Sequence, residues 1–285
     1  MQIVVKNINF TYGPNTPFER QALMGIDFSL PASTYTAIIG HTGSGKSTLI
    51  QLLSGLLTPT SGTIQMGEIV VDHKSKSLQD LRNLVGMVFQ YPEHQLFAET
   101  VKKDVAFGPM NQGLSEEEVE SRVLVALERV GLPSSLWERS PYQLSGGQMR
   151  RVAIAGVLAM KPQVLILDEP SAGLDPIGKS HLLEMIYSLH QQEGFAVLHV
   201  THDMNEAAQY ADQMLVLAEG KLVLSGKTEI LFQQDETLQS LGLDIPKSVQ
   251  WVDKLNQKIS SPLPRSLFTV EQVAEELMKR KKGSP

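Results

Sequence analysis

Residues Gly40-His41-Thr42-Gly43-Ser44-Gly45-Lys46-Ser47-Thr48 follow a short apolar run, Tyr35 to Ile39, and fit the pattern G-x-x-x-x-G-K-[ST]. A glycine-rich turn between a strand and a helix constrains the fold of this chain more than any other feature. The glycines let backbone N–H groups turn inward on the β- and γ-phosphates of a nucleotide, and Lys46 supplies a point charge. Ser47 offers a hydroxyl to Mg²⁺, and the dipole of the following helix adds to the anion site. The pattern is short, so it needs support from residues elsewhere.

Val164-Leu165-Ile166-Leu167-Asp168-Glu169 supplies that support: four apolar residues read as a buried strand that delivers two acids to a sheet edge. Asp168 is placed to join a Mg²⁺ shell, and Glu169 to accept a proton from the water attacking the γ-phosphate. A helix pattern with Leu182, Met185, Ile186 and Leu189 ends at Gly194 and precedes another buried strand, Ala196 to Thr201. Strand, helix, strand in that order predicts a parallel βαβ unit and an α/β fold.

The first third carries a different texture. Ile3, Val5, Ile8 and Phe10 mark one strand, Ile26, Phe28 and Leu30 a second, and Thr63 to Asp72 a hairpin around Gly67. Between Pro92 and Met160 the pattern turns helical, with Ser115-x-x-Glu118 as a capping box before Val119, Val123, Leu127 and Val130. Met214 to Leu217 and Lys221 to Leu224 flank Glu219-Gly220 as a closing hairpin. The remaining sixty or so residues hold Pro246, Pro262 and Pro264, and a helix capped by Thr269-x-x-Gln272 with Val270, Val273, Ala274 and Leu277 on one side. Lys279-Arg280-Lys281-Lys282 reads as a solvated, frayed end.

With 285 residues and 42% hydrophobic composition the chain can bury a sizeable core in one large domain or two smaller ones. A net charge of 25 − 31 = −6 argues against a general nucleic-acid coat. The absence of cysteine excludes disulfides, thiolate metal sites and cysteine nucleophiles, and suits a reducing compartment. The N-terminus lacks a secretory pattern, and the densest apolar run, Val152 to Met160, is far short of the roughly 20 residues that cross a bilayer. The cytoplasm is the expected compartment.

Leu144-Ser145-Gly146-Gly147-Gln148 is the sharper clue, because Ser145 can cap a helix whose glycines expose N–H groups to an anion. Here residues 1 to about 225 resemble the ATP-binding-cassette (ABC) ATPases, whose signature is this LSGGQ between a Walker A loop and a Walker B strand. The resemblance implies a RecA-like P-loop NTPase core with an antiparallel β subdomain and a helical insertion at about residues 93–160, binding ATP and Mg²⁺. It implies that the signature residues Ser145, Gly146, Gly147 and Gln148 complete the ATP site of a partner cassette. Tyr12 looks like the aromatic that stacks on adenine, and Gln90 like the Q-loop glutamine that reaches Mg²⁺ and the attacking water. Ser171-Ala172-Gly173-Leu174-Asp175 resembles the D-loop, with Asp175 working across the dimer. His202 resembles the switch histidine that contacts the γ-phosphate and holds Glu169. The side chains of His41, His94 and His199 receive no role.

A narrower resemblance covers the insertion and the tail. Val88-Phe89-Gln90-Tyr91-Pro92-Glu93-His94-Gln95-Leu96-Phe97 looks like the Q-loop region of energy-coupling-factor (ECF) transporter ATPases. Arg151 to Ala159, Leu241-Gly242-Leu243 and Phe268-Thr269-Val270-Glu271 fit the same group, and Glu169-Pro170-Ser171-Ala172-Gly173-Leu174-Asp175 is more similar to the second of its two paired ATPases. The implied partners are a different, paired ABC ATPase, an integral membrane coupling subunit (T component) and substrate-binding membrane subunits (S components), with no nucleic acid. The implied location is peripheral, on the cytoplasmic face of the cell membrane, with residues 226–285 as a small C-terminal helical dimerisation module. The implied work is uptake of vitamins or other micronutrients, including cobalt or nickel. An ordinary ABC importer ATPase shares the catalytic residues and differs in the tail. A non-transport ABC protein would carry a long coiled-coil insertion or two cassettes in one chain, and the sequence has neither.

Overall fold

The computed structural model describes residues 1–282. Strands β1 (Ile3–Tyr12), β2 (Arg20–Leu30), β4 (Ser61–Met66) and β5 (Ile69–Asp72) form an antiparallel sheet in the order β2-β1-β4-β5. A second sheet is built from β3 (Tyr35–Ile39), β6 (Val85–Val88), β7 (Val164–Asp168), β8 (Ala196–Val200), β9 (Gln213–Ala218) and β10 (Lys221–Lys227). Its order is β10-β9-β3-β8-β7-β6, parallel throughout except for β10. The helices are α1 (Lys46–Leu53), α2 (Gln79–Leu84), α3 (Val101–Asn111), α4 (Glu116–Arg129), α5 (Gly146–Leu158) and α6 (Pro176–Glu193), then α7 (Met204–Tyr210), α8 (Thr228–Leu231), α9 (Asp235–Ser240), α10 (Lys247–Asn256) and α11 (Val270–Lys282).

Burial explains the layering. Every residue of β3 and β8 is buried, as expected for parallel strands covered on both faces, whereas the C-terminal half of β2 alternates buried and exposed. One core, including Ile3, Ile26, Leu49, Ile64, Ile166 and Leu198, lies between the antiparallel sheet and one face of the parallel sheet. A second, including Val105, Val123, Leu127, Ile154, Leu165 and Ile186, packs α3 to α6 on the other face. Residues after β10 join a third core, where Leu231, Phe232, Leu238 and Leu243 meet Ile39, Ala207 and Val216. Val252, Leu263 and Val273 form a separate cluster farther along the tail.

The hairpins form as expected, and the Glu219-Gly220 turn has positive φ at both residues, the geometry that matches strand twist. Three sequence readings are corrected. The Ser115 hydroxyl accepts from Glu118 N, but the Glu118 carboxylate turns to Arg122 at 2.6 Å, so the reciprocal half of the capping box is absent. Val273 is buried on α11, yet Val270 and Leu277 of the expected apolar side remain exposed. Arg280 is no frayed end: it bonds Glu276 and the Ser261 and Pro262 carbonyls, while the side chains of Lys281 and Lys282 lie outside the described residues.

Candidate functional site

The loop from β3 into α1 lies at the end of the parallel sheet where β7 and β8 also terminate. Its glycines have specific reasons to be there. Gly40 has φ +154°, and a Cβ would collide with the Leu217 carbonyl oxygen; at Gly45, φ +104°, a Cβ would sit 2.7 Å from Leu23 Cδ2. Ser44 is buried beneath the turn. The loop opens on a cleft of about 630 Å³ lined by Tyr12, Thr42, Gly43, Gly45, Lys46, Ser47, Thr48, Gln90, Asp168 and Glu169. These residues, from four separate stretches of chain, therefore share one concavity.

Lys46 Nζ donates to the Gly40 carbonyl at 2.6 Å and the His41 carbonyl at 3.0 Å. Burial lowers its pKa, opposed by the charges of Glu169 and Asp168. Asp168, at the end of β7, is raised by burial and by the adjacent Glu169 charge, with Lys46 opposing. Glu169 has φ +45°, a strained conformation for a residue with a Cβ, and its N–H donates to the Val200 carbonyl at 3.1 Å. Its Oε1 lies 3.3 Å from His202 Nδ1, so the segments after β7 and β8 present the acid and the imidazole, respectively, to each other. The Tyr12 hydroxyl shares a 3.2 Å hydrogen bond with Thr48 Oγ1, fixing the ring at the cleft wall where it is 39% exposed. Ser47, Gln90 and Asp168 set a hydroxyl, an amide and a carboxylate around one space, a hard oxygen donor set that fits Mg²⁺.

The signature residues and Asp175 stand away from this cleft. Ser145 caps α5 in a complete capping box: its Oγ accepts from Gln148 N at 3.3 Å, and Gln148 Oε1 accepts from Ser145 N at 3.0 Å. A Cβ on Gly146 or Gly147 would meet nothing within 4 Å, so nothing inside this chain requires glycine there. Asp175 caps α6, accepting from Gly178 N at 2.8 Å. Behind this face Arg150, 2% exposed, grips Glu93 with two bonds of 2.9 and 2.6 Å and donates to the carbonyls of Pro170 and Ala172, each at 3.0 Å. One guanidinium thus joins the signature helix, the segment after Gln90 and the loop after Glu169.

Several contributors carry no local sequence signal. Arg20, Gln21 and Ala22 of β2 help complete the cleft, as do Glu219 and Gly220 of the β9–β10 turn, which leans on the P-loop through Gly220 N to Ser44 O, 3.0 Å. The His41 side chain turns away from the cleft and bonds the Leu241 carbonyl at 2.7 Å, tying the loop to the tail. His199, left without a role by its sequence, is fully buried: Tyr35 Oη lies 3.1 Å from its Nδ1 and Glu206 Oε2 is 3.4 Å from its Nε2. Burial lowers its pKa to about 4, with the Glu206 charge opposing.

A phosphate loop, an acid-tipped strand, a histidine facing that acid and an outward LSGGQ helix on this two-sheet fold define an ATP-binding cassette. The ABC transporter family model matches residues 23–172. The chain is 50% identical over 280 residues to the energy-coupling factor transporter ATP-binding protein EcfA2 of Bacillus thuringiensis strain Al Hakam, covering 98% of this chain and 96% of that one. It is 48% identical over 275 residues to the EcfA2 protein of Halalkalibacterium halodurans, covering 95% of this chain and 98% of that one. The solved structure of cbiO1 from Clostridium perfringens, part of the ABC transporter complex cbiONQ, superposes with TM-score 0.74 at 39% identity over 84% of this chain and 94% of that one. A dimeric post-hydrolysis structure of the cassette MJ0796 with ADP and Pi aligns with TM-score 0.69 at 29% identity, over 79% of this chain and 98% of that one. The chain belongs to the energy-coupling factor transporter ATP-binding proteins of the ABC family.

Proposed function

We propose that this chain is the ATP-hydrolysing subunit of an ECF-type importer, and that it pairs head to tail with a second, different cassette. The observation that carries the reading is the split of its chemistry between two faces. Lys46, Asp168, Glu169 and Gln90 line one cleft, while Ser145, Gly146 and Gly147 point outward with no partner requirement inside the chain. A half-site on each face calls for a partner that supplies the other half.

In that assembly the Gly40–Thr48 loop holds the phosphates through its backbone N–H groups and Lys46, and Tyr12 supports the adenine. Ser47, Gln90 and Asp168 would hold Mg²⁺. The ion supplies charge neutralisation for the phosphate oxygens when bound. Glu169 accepts the proton of the attacking water, and His202, 3.3 Å from it, keeps the carboxylate aimed. Ser145, Gly146, Gly147, Gln148 and Asp175 serve the nucleotide held by the partner. Two bridging ATPs favour the closed pair by as much as their added contacts allow, and hydrolysis resets it.

The membrane coupling subunit docks near Gln90 to Thr100. That segment adjoins a groove of about 380 Å³ lined by Arg82, Gln95, Phe97, Phe107 and Met160, with Phe97 and Phe107 more than half exposed. Residues 226–285 form the C-terminal module through which the two ATPases pair. Among the described residues no helix is long and apolar enough to cross a membrane, and the chain sits at the cytoplasmic face through these partners. Cargo, a vitamin or metal ion, is captured by separate membrane subunits.

The test is direct. Glu169→Gln should retain ATP binding and stall turnover; near-normal hydrolysis would remove Glu169 as the base. Lys46→Ala should abolish nucleotide binding. Affinity purification from detergent-solubilised membranes should recover a different cassette, one shared membrane subunit and several small substrate-binding membrane proteins. Recovery of a dedicated permease instead would point to an ordinary importer.

A further inference from the structure

Glu206 is a buried carboxylate that the hydrolytic chemistry above does not use. It lies on α7, is 4% exposed, and is the charged member of the buried set Met204, Glu206, Ala207, Ala208 and Tyr210 on that helix. A lone carboxylate in such a place needs several donors to remain charged, and the identity of those donors is informative. Its Oε1 accepts from Ser171 Oγ at 2.8 Å and lies 2.8 Å from Lys179 Nζ, and its Oε2 accepts from Thr201 Oγ1. Ser171 opens the Ser171–Asp175 loop two residues after Glu169. Thr201 immediately precedes His202 and also receives Asp203 N at 3.0 Å. Lys179, in the first turn of α6, pairs with Asp203 as well.

We infer that Glu206 is a positioning residue that clamps the loop after Glu169 to the strand end carrying His202, so that acid and imidazole hold their mutual distance during turnover. This rests on the reading of Glu169 and His202 as the hydrolytic pair. The carboxylate touches neither of them. It fixes the residue two places beyond the acid and the residue one place before the histidine. Glu169 itself meets the neighbouring strand through its N–H to Val200 O and its carboxylate to His202, and the Glu206 clamp governs how far the segment beyond Glu169 strays from β8. A group of this kind changes turnover without changing affinity, because ATP binding draws on the P-loop after β3, whereas the clamp joins the segments after β7 and β8.

The experiment uses the assembled transporter in lipid nanodiscs, with steady-state ATPase measured over a range of ATP concentrations. Ser171→Ala removes one hydrogen bond to a charged group, worth about tenfold in rate if it acts on the transition state. The expected result is kcat down about tenfold with KM within about twofold. Glu206→Ala should lose at least as much, and the Ser171→Ala/Glu206→Ala double variant no more than Glu206→Ala alone. Glu206→Gln should restore kcat to within about threefold of the parent, because its amide oxygen can still receive Ser171 and Lys179 while its NH₂ group meets Thr201 Oγ1. Ser171→Ala, a change at a partly exposed hydroxyl, keeps the test open if Glu206→Ala does not fold. Unchanged kcat in Ser171→Ala, or a rise in KM at constant kcat, would overturn the clamp, provided that Glu169→Gln is inactive in the same preparation. Normal turnover of Glu169→Gln would instead overturn the hydrolytic reading and the clamp with it.

Discussion

Arg150→Met keeps most of the side-chain stem and deletes the charge at the junction of the signature helix, the Glu93 segment and the loop after Glu169. Four donations are lost: two to the Glu93 carboxylate and one each to the Pro170 and Ala172 carbonyls. With side-chain exposures of 3% for Arg150 and 14% for Glu93, neither end of the pair is screened as a surface ion pair would be. Removing one partner of a buried pair costs about 3–5 kcal/mol, most of it from the charge left behind. For a chain of this size that corresponds to a fall in Tm on the order of 10 °C. Denaturant unfolding followed through Trp137, which sits in the helical region with its indole donating to the Leu132 carbonyl, reads the change locally. The logic also fixes a sign: Glu93→Leu/Arg150→Met, which removes both charges, should be more stable than Arg150→Met alone. A single-variant cost below about 1 kcal/mol, or additive effects in the pair, would refute the assignment of Arg150 as a buried anchor.

Three further outcomes are expected. His199 has its pKa lowered to about 4 by burial, whereas an unfolded histidine titrates near 6.5. The unfolded state therefore binds more protons between these values, so stability falls as pH drops through that window, by about 2 kcal/mol between pH 6.5 and 5.0. Urea midpoints over that range should show the slope, and His199→Gln should flatten it. Gly40→Ala forces a Cβ against the Leu217 carbonyl at φ +154° and should abolish fluorescent-nucleotide binding while leaving far-UV circular dichroism intact. Ser145→Ala loses an N-cap worth about 1 kcal/mol in thermal melts. Its loss of ATPase turnover should exceed that of Thr100→Ala, which removes the cap of α3 but no residue of the LSGGQ.

What was legible in the sequence was what short windows encode. The P-loop, the acid-tipped β7, the Ser145 cap and both hairpins each depend on fewer than a dozen neighbouring residues, and each has a composition that few other structures demand. The fold class followed because strand, helix and strand in order restrict topology. Glu118 shows where that logic ends: Ser115-x-x-Glu118 licenses a capping box, but Arg122 one turn on and Lys161 from a distant loop outbid the backbone for the carboxylate. His199 reads as a strand residue because its partners, Tyr35 and Glu206, come from another strand and another helix. His41 likewise sits inside a recognisable loop while its side chain answers to Leu241, two hundred residues away. The exposed side of α11 is the converse case, an amphipathic period in which Val273 is buried while Val270 and Leu277 stay exposed.

Arg150 and Glu206 act on one short loop from opposite sides. The guanidinium takes the carbonyls of Pro170 and Ala172, and the carboxylate takes the hydroxyl of Ser171 between them, so three successive residues are held by two buried charges of opposite sign. Ordering a residue costs about 1–2 kcal/mol in backbone entropy, and each charge-assisted hydrogen bond returns about 1.5–3 kcal/mol, so the loop is fixed with some margin. That margin accounts for Glu169, the residue just before it, whose φ of +45° carries strain of about 1–3 kcal/mol that only an over-determined neighbourhood sustains. The same segment also links the two faces of the chain. Arg150 belongs to the helix that the signature opens, and Glu206 to the helix that follows His202. Arg150 thus connects the signature helix to the residues just after Glu169, and Glu206 connects Ser171 to Thr201, the residue before His202. In the proposed assembly, the face offered to the partner's nucleotide and the acid of this chain's own half-site are joined through Pro170, Ser171 and Ala172.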